Sequence, residues 1–307
     1  MKDAIALHPF HFKVDVMSFY DVLKVDPSKK FSLKQVNPAD TLSFEENAAK
    51  AKLKRNLRSI DLLQEKLYAE DKQALLVVIQ AMDAGGKDST IKAITEGLNP
   101  QGVLVSSFKA PSSEELSHDF LWRIHQQAPP KGHIGIFNRS HYEDVLVVKV
   151  HNWAPEKLIR KRYGHINTFE QMLADHGTRV LKFMLHISPE YQLEQFKERI
   201  EDPKKHWKFN PADLEERKHW SAYMKAFEEM LNRCSTDEAP WYVIPSENKW
   251  FRTMVISEII KDTLKKMKPK FPKPDFNPEE FRRLLSPAGE ISPKTSAEPA
   301  SNDQHTP

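Results

Sequence analysis

A chain of 307 residues is long enough for roughly two domains, or one large one, and can bury a core without disulfides or a structural metal. Hydrophobic residues make up 39% and charged residues 29%; no run of about 18 apolar residues occurs, which excludes a membrane-spanning helix, and the single cysteine, Cys234, excludes an internal disulfide. Forty-six Lys and Arg against 43 Asp and Glu leave a net charge of +3, too slight a bias for bulk nucleic-acid binding.

The opening MKDAIALHPFHFKVDV carries Asp3 and His8 where a secretory signal needs an unbroken apolar stretch, so a cytoplasmic enzyme is the expected class. Residues 1–44 read as an arm packed on the main domain through Phe10, Phe12, Val14, Val16, Phe19 and Tyr20. Ser43 and Glu46 have the spacing of a capping box. Leu53, Leu57, Ile60, Leu63 and Leu67 then recur at helical spacing. Lys52, Lys54, Arg55 and Arg58, on the other face, are either a solvated surface or one that meets a polyanion. Residues 74–79 form a continuous aliphatic run, as in a central parallel strand covered on both faces. A glycine-bearing turn leads into a helix over 89–98, and 103–108 is a second strand. Ser112 and Glu115 cap a helix that carries Leu116, Phe120, Leu121 and Ile124.

Residues 133–137, 179–187 and 241–244 complete five strands alternating with helical segments. That pattern predicts a three-layer α/β/α sandwich with a mainly parallel sheet. Ser188 caps a helix entered through Pro189, and the Pro-broken stretch 201–208 and a helix over 219–231 follow, so about 188–232 reads as a helical lid. The catalytic domain is expected over 45–265. Residues 266–307 form a basic, Pro-rich extension whose polar tail, from 286, has too few apolar residues to offset the entropy of ordering.

The most informative stretch is Ala81-Met82-Asp83-Ala84-Gly85-Gly86-Lys87-Asp88-Ser89, between a buried strand and a helix. A phosphate loop needs small residues so that backbone N–H groups turn inward, a lysine for the outer phosphates, and a helix N-terminus. All three are present, over Ala84 to Ser89. Against G-x-x-x-x-G-K-[ST], however, Ala81 replaces the first glycine and Asp88 the metal-holding hydroxyl. Asp83 inside the loop would repel phosphate unless it held Mg²⁺ or took a proton from an acceptor phosphate, which places it at the reaction centre. The second signal is Asn138-Arg139-Ser140-His141-Tyr142-Glu143-Asp144 at the end of the third strand, where α/β sheets gather ligands. Arg139 can bridge phosphate oxygens bidentately. Asn138 stands where a metal-binding carboxylate is expected, so the metal falls to Asp83, shared with water or Glu143.

This combination resembles the polyphosphate kinase 2 family. The likeness rests on Asp83, Gly86 and Lys87 in the loop, on Asn138, Arg139, Ser140 and Tyr142 after the third strand, and on RIEDPKKHWK from Arg199 to Lys208. An A-P-W segment at Ala239, Pro240 and Trp241, followed by Lys249 and Arg252, completes it, and the whole spans roughly residues 45 to 265. The resemblance implies a P-loop kinase-like fold with a helical lid, and transfer of phosphate between inorganic polyphosphate and nucleotides. Asn138 and the continuation YEDVLVVKVH are similar to the branch that uses both AMP and ADP, giving ADP and ATP. A homodimer or homotetramer is implied as well. Gly85 and His141 depart from the family's usual Ala and aromatic.

In-line phosphoryl transfer then assigns expected roles. Lys87 and the loop N–H groups hold the transferring phosphate, Arg139 and Arg199 neutralise developing charge, and Asp83 orients Mg²⁺, with Mn²⁺ as a substitute. Asn138, Arg139, Tyr142, Glu143 and Asp144 face the nucleotide, Glu143 doubling as a metal contact. Lys204, Lys205 and Lys208, with Arg160, Lys161 and Arg162, line the path of a long polyanion, since lysines suit a substrate without fixed register. Trp207 and Trp220 either stack on a base or pack the lid. Two other readings remain: an ATP-dependent nucleotide or small-molecule kinase, and a non-catalytic polyanion- or RNA-binding protein.

Overall fold

The structure is a computed structural model and describes residues 18–285. Phe10, Phe12, Val14 and Val16 of the expected arm, and the tail from 286, lie outside the described residues. The chain divides into a unit ending at Phe271 and a second beginning at Pro272. In chain order the helices of the first are α1 (Glu46–Glu70), α2 (Lys87–Ile94), α3 (Ser113–Ser117), α4 (Trp122–His125), α5 (Val147–Val150), α6 (Glu156–Asp175), α7 (Pro189–Glu201), α8 (Ala212–Lys218), α9 (Trp220–Cys234) and α10 (Lys249–Met267). Its strands are β1 (Ala74–Ala81), β2 (Val103–Ser107), β3 (Ile134–Asn138), β4 (Thr178–His186) and β5 (Trp241–Pro245). The second unit carries α11 (Pro278–Leu284). Among the described residues no helix is long and apolar enough to cross a membrane.

All strands are parallel, in the order β2-β3-β1-β4-β5. Successive side chains of a strand point to opposite faces, and β1 is apolar on both. Leu75, Val77 and Ile79 pack with Ile60 and Leu67 of α1, Ile91 of α2 and Met254 of α10. Leu76 and Val78 pack with Ile166 and Phe169 of α6 and Met230 of α9. This is the expected three-layer sandwich with a parallel sheet. Residues 24 and 25 lie along β5, through a Lys24–Tyr242 bridge and a Val25 N–H to Trp241 carbonyl bond of 2.9 Å, so the arm covers a sheet edge. The connection leaving β1 passes β3 to reach β2, and the one leaving β3 passes back over β1 to reach β4, so the two diverge between β1 and β3. Ligands of open parallel sheets collect at such a switch point.

Local expectations fail in three places. The Ser43–Glu46 capping box is not formed. Leu42 and Ser43 both sit at positive φ (47° and 62°), and Glu45 takes the cap position without a side-chain bond. The Ser112–Glu115 box is present, but its helix stops at Ser117 because Asp119 Oδ1 accepts the Leu121 N–H (2.9 Å) and starts a new turn. The far part of the expected lid is core: Phe227, Met230, Leu231 and Cys234 of α9 are buried against the sheet, leaving α7, the turn Pro203–Lys208 and α8 to face the ligand side.

Candidate active site

The loop after β1 turns through two left-handed residues, Ala84 (φ 61°) and Gly86 (φ 90°). Gly86 is also the N-cap of α2, which begins at Lys87, two residues before the expected start. A Cβ on Gly86 would fall 2.3 Å from the Arg252 guanidinium, so any other residue would both strain the backbone at this positive φ and displace Arg252. Arg252 of α10 is buried under the loop, donating to the Ser89 Oγ (3.0 Å) and the Ser246 carbonyl (3.0 Å). Lys87 Nζ donates to the carbonyls of Ala81 (3.0 Å) and Met82 (3.2 Å). Burial, with the Arg139 charge nearby, brings its pKa down to about 8.

β3 ends beside β1, with Asn138 opposite Ile79, which sets the second segment against the first. Gln80 Nε2 donates to Ser140 Oγ (3.0 Å), pinning the turn that follows. Arg139, at φ 62°, donates from Nη2 to Asp83 Oδ1 (2.6 Å) and from Nη1 to Glu143 Oε2 (3.4 Å). Asn138 Nδ2 donates to Asp88 Oδ1 (2.7 Å). Asp144 pairs with Arg162 (3.3 Å), yet burial still pushes its carboxyl up to about 6. α7 brings Arg199, which donates to the Lys208 carbonyl (3.1 Å) and lies 3.5 Å from Asp213. Lys205 pairs with Glu198 and Asp202.

These residues wall a cavity of about 1080 Å³. Of the sequence-derived residues, Asp83, Ala84, Gly86, Lys87, Asp88, Ser89, Asn138, Arg139, Glu143, Asp144, Arg199, Lys205 and Lys208 line it. Gly85, Lys204, Arg160 and Lys161 do not, and Arg162 does so while held by Asp144. Tyr142 departs furthest from expectation. It is wholly buried, its hydroxyl donates to Glu170 Oε1 (2.8 Å) and accepts from Lys182 Nζ (2.8 Å), and no part of it reaches the cavity. A turn of 3₁₀ helix directs Tyr142 inward and its neighbours Glu143 and Asp144 outward. Trp207 is 79% exposed on the cavity wall, whereas Trp220 packs on the core.

Sequence reasoning gave no role to Asp213 or to an apolar stretch of wall formed by Phe108, Leu116, Val148, Trp153 and Ala154. Leu116 (70% exposed) and Trp153 (68%) are large apolar side chains left open to the cavity, a signal no spacing rule carries. Among the described residues no group of three or more His, Cys, Asp or Glu could hold a metal by itself. Asp83 and Glu143, both on Arg139, offer hard oxygen donors of the kind that hold Mg²⁺ together with water and substrate phosphates.

Residues 43–272 match the model of the polyphosphate kinase 2 family. The chain is 49% identical over 260 residues to the AMP/ADP-polyphosphate phosphotransferase of Meiothermus ruber, covering 84% of this chain and 97% of that one. It is 42% identical over 246 residues to the ADP-polyphosphate phosphotransferase of Rhodopseudomonas palustris, covering 76% and 84%. The crystal structure of polyphosphate kinase 2 from Arthrobacter aurescens TC1 aligns with a TM-score of 0.85 at 40% identity, covering 88% of this chain and 96% of that one. With three quarters of its length matched and a cavity built on the loop and turn that carry the resemblance, this chain belongs to the polyphosphate kinase 2 family.

Proposed function

We propose that the enzyme moves the terminal phosphoryl group of inorganic polyphosphate to AMP and to ADP, forming ADP and ATP, in a reversible reaction. The observation that carries this reading is that one cavity brings a phosphate loop together with an apolar wall stretch and a basic one (Arg199, Lys205, Lys208, Lys249). An aromatic and aliphatic wall suits a base, and mobile lysines suit a polyanion without register. The acceptor range named for the Meiothermus ruber relative supports both AMP and ADP.

Lys87 releases the carbonyls of Ala81 and Met82 to hold the transferring phosphate, joined by the loop N–H groups at the start of α2. Arg139, positioned by Asp83 and Glu143, and Arg199 from the lid stabilise charge as it develops on the equatorial oxygens. Asp83 and Glu143 would hold Mg²⁺, which neutralises and orients phosphate oxygens when bound. The enzyme is read as a homodimer or homotetramer on the family resemblance, and as a cytoplasmic protein acting on free nucleotides rather than nucleic acid on its composition and slight net charge.

The test supplies long-chain polyphosphate and Mg²⁺ with AMP or ADP and resolves the nucleotides by chromatography. ADP from AMP and ATP from ADP are expected, and both should stop when the metal is chelated. Silence with polyphosphate, alongside ATP-driven phosphorylation of AMP, would replace the reading with an ordinary nucleotide kinase.

A further inference from the structure

Gln192 lies in the first turn of α7 and is 1% exposed, although an amide there must satisfy both its donor and its acceptor without water. It does so by joining two parts of the site. Its Nε2 donates to the main-chain carbonyl of Asp83 (2.9 Å), inside the phosphate loop. Its Oε1 accepts from Arg217 Nη1 (3.0 Å) on α8, and the same guanidinium donates to the Pro189 carbonyl (2.7 Å). The loop carbonyl it holds belongs to the peptide that precedes Ala84, a non-glycine residue at φ 61° whose conformation needs support from its surroundings. That peptide also sets the direction of the Asp83 carboxylate toward Arg139 (2.6 Å). On α8, Arg217 stands four residues after Asp213, hence on the same helix face, and Asp213 is the carboxylate beside Arg199.

We propose that Gln192 is a positioning residue for phosphoryl transfer, tying the Asp83–Ala84 peptide to α8 so that the phosphate loop keeps its catalytic shape only while the lid helix is seated. The inference rests on the function proposed above for the cavity and adds to it a residue that touches no substrate. A helix α8 displaced from its seat withdraws Arg217, leaves the Gln192 carbonyl unpaired, and frees the amide to leave the loop.

Three variants test it: Gln192→Leu removes both bonds, Gln192→Glu removes only the donor to the loop, and Arg217→Met removes the anchor on α8 together with its bond to the Pro189 carbonyl. Each is expected to lower kcat for AMP phosphorylation by about ten- to a hundredfold, as small misplacements of reacting groups do, with the KM values little moved. Backbone amide exchange over residues 83–87 should quicken in all three, while exchange in β5 stays at the wild-type rate. The Gln192→Leu/Arg217→Met double variant should be no worse than Gln192→Leu alone, because the two residues act in series. Wild-type loop exchange in the Gln192 variants, or losses that multiply in the double, would overturn the proposal. Should Gln192→Leu fail to fold, Arg217→Met, which is only part-buried, decides by the same two readouts. Exchange is read on the free enzyme, so it judges Gln192 even if the wild type proves inactive with polyphosphate, an outcome that would count against the proposed function alone.

Discussion

Lys87 shows how a single side chain sets the working range of the site. Its ammonium is enclosed by the loop, and burial lowers its pKa to about 8. The free enzyme therefore loses the charge proposed to meet phosphate as pH rises through about 8. We expect kcat/KM to fall on that limb. With phosphate bound, the added negative charge favours the ammonium, and the corresponding limb of kcat should lie at higher pH. Lys87→Arg, which stays charged, should remove the limb while lowering kcat by about a hundredfold, since a planar fork does not replace a point donor at this spacing. Rate profiles from pH 6 to about 10 measure both effects, and a limb unchanged in Lys87→Arg would assign it to another group. The stability sign is the reverse of a salt bridge: between about 8 and the usual lysine value the unfolded chain binds the extra proton, so this residue's contribution to stability rises with pH there.

At the scale of elements, the turn after β3 is held from behind by α6 and β4. Lys182 Nζ donates to Glu170 Oε2 (2.5 Å), Tyr142 Oη (2.8 Å) and the Cys234 carbonyl (2.6 Å), and His141 Nε2 meets Glu170 Oε1 (3.1 Å), all out of contact with water. Burial pushes the Glu170 carboxyl upward, but Lys182 and His141 outweigh it and hold it below the usual range, while burial keeps His141 neutral. Lys182→Met would strand the carboxylate and should cost about 3–5 kcal/mol in guanidinium unfolding. Lys182→Met with Glu170→Leu should recover most of that loss; a double variant as unstable as the single would mean that the cluster is held by packing rather than by its charge. Little of this was legible in the sequence. The loop and its strand announced themselves through an unbroken aliphatic run and adjacent glycines, both local signals. Tyr142 was misread because a turn has no period to say which side chain faces inward. α6 went unassigned although Ile159, Tyr163, Ile166, Phe169 and Leu173 follow one face, because charged residues and Gly164 interrupt the pattern. Its partner Lys182 looks like a polar break in a strand and is instead the centre of a buried cluster.

At the scale of the whole molecule, alternating strands and helices gave the fold class, because burial on both faces requires apolar strands between amphipathic helices. They left the strand order unread. That order depends on pairings such as Leu75 with both Ile134 and Arg179, which no local pattern encodes. The same distance hid the place of Arg252, a residue the motif pattern includes, which lies far along the chain yet closes the underside of the loop. The cavity also has a consequence for its response to ionic strength. Arg139, Arg162, Arg199 and Lys205 each already have a carboxylate beside them before any substrate arrives. Polyphosphate must therefore take these cations from internal anions rather than from a cloud of small ions. Binding titrations between 50 and about 200 mM salt should give a log–log slope well below one per basic residue on the wall, whereas a slope matching the full count would mean that the carboxylates stand aside beforehand. An anion site neutralised from within sheds few ions when it fills, and so it can hold a highly charged polymer in salty surroundings where an exposed basic patch would let go.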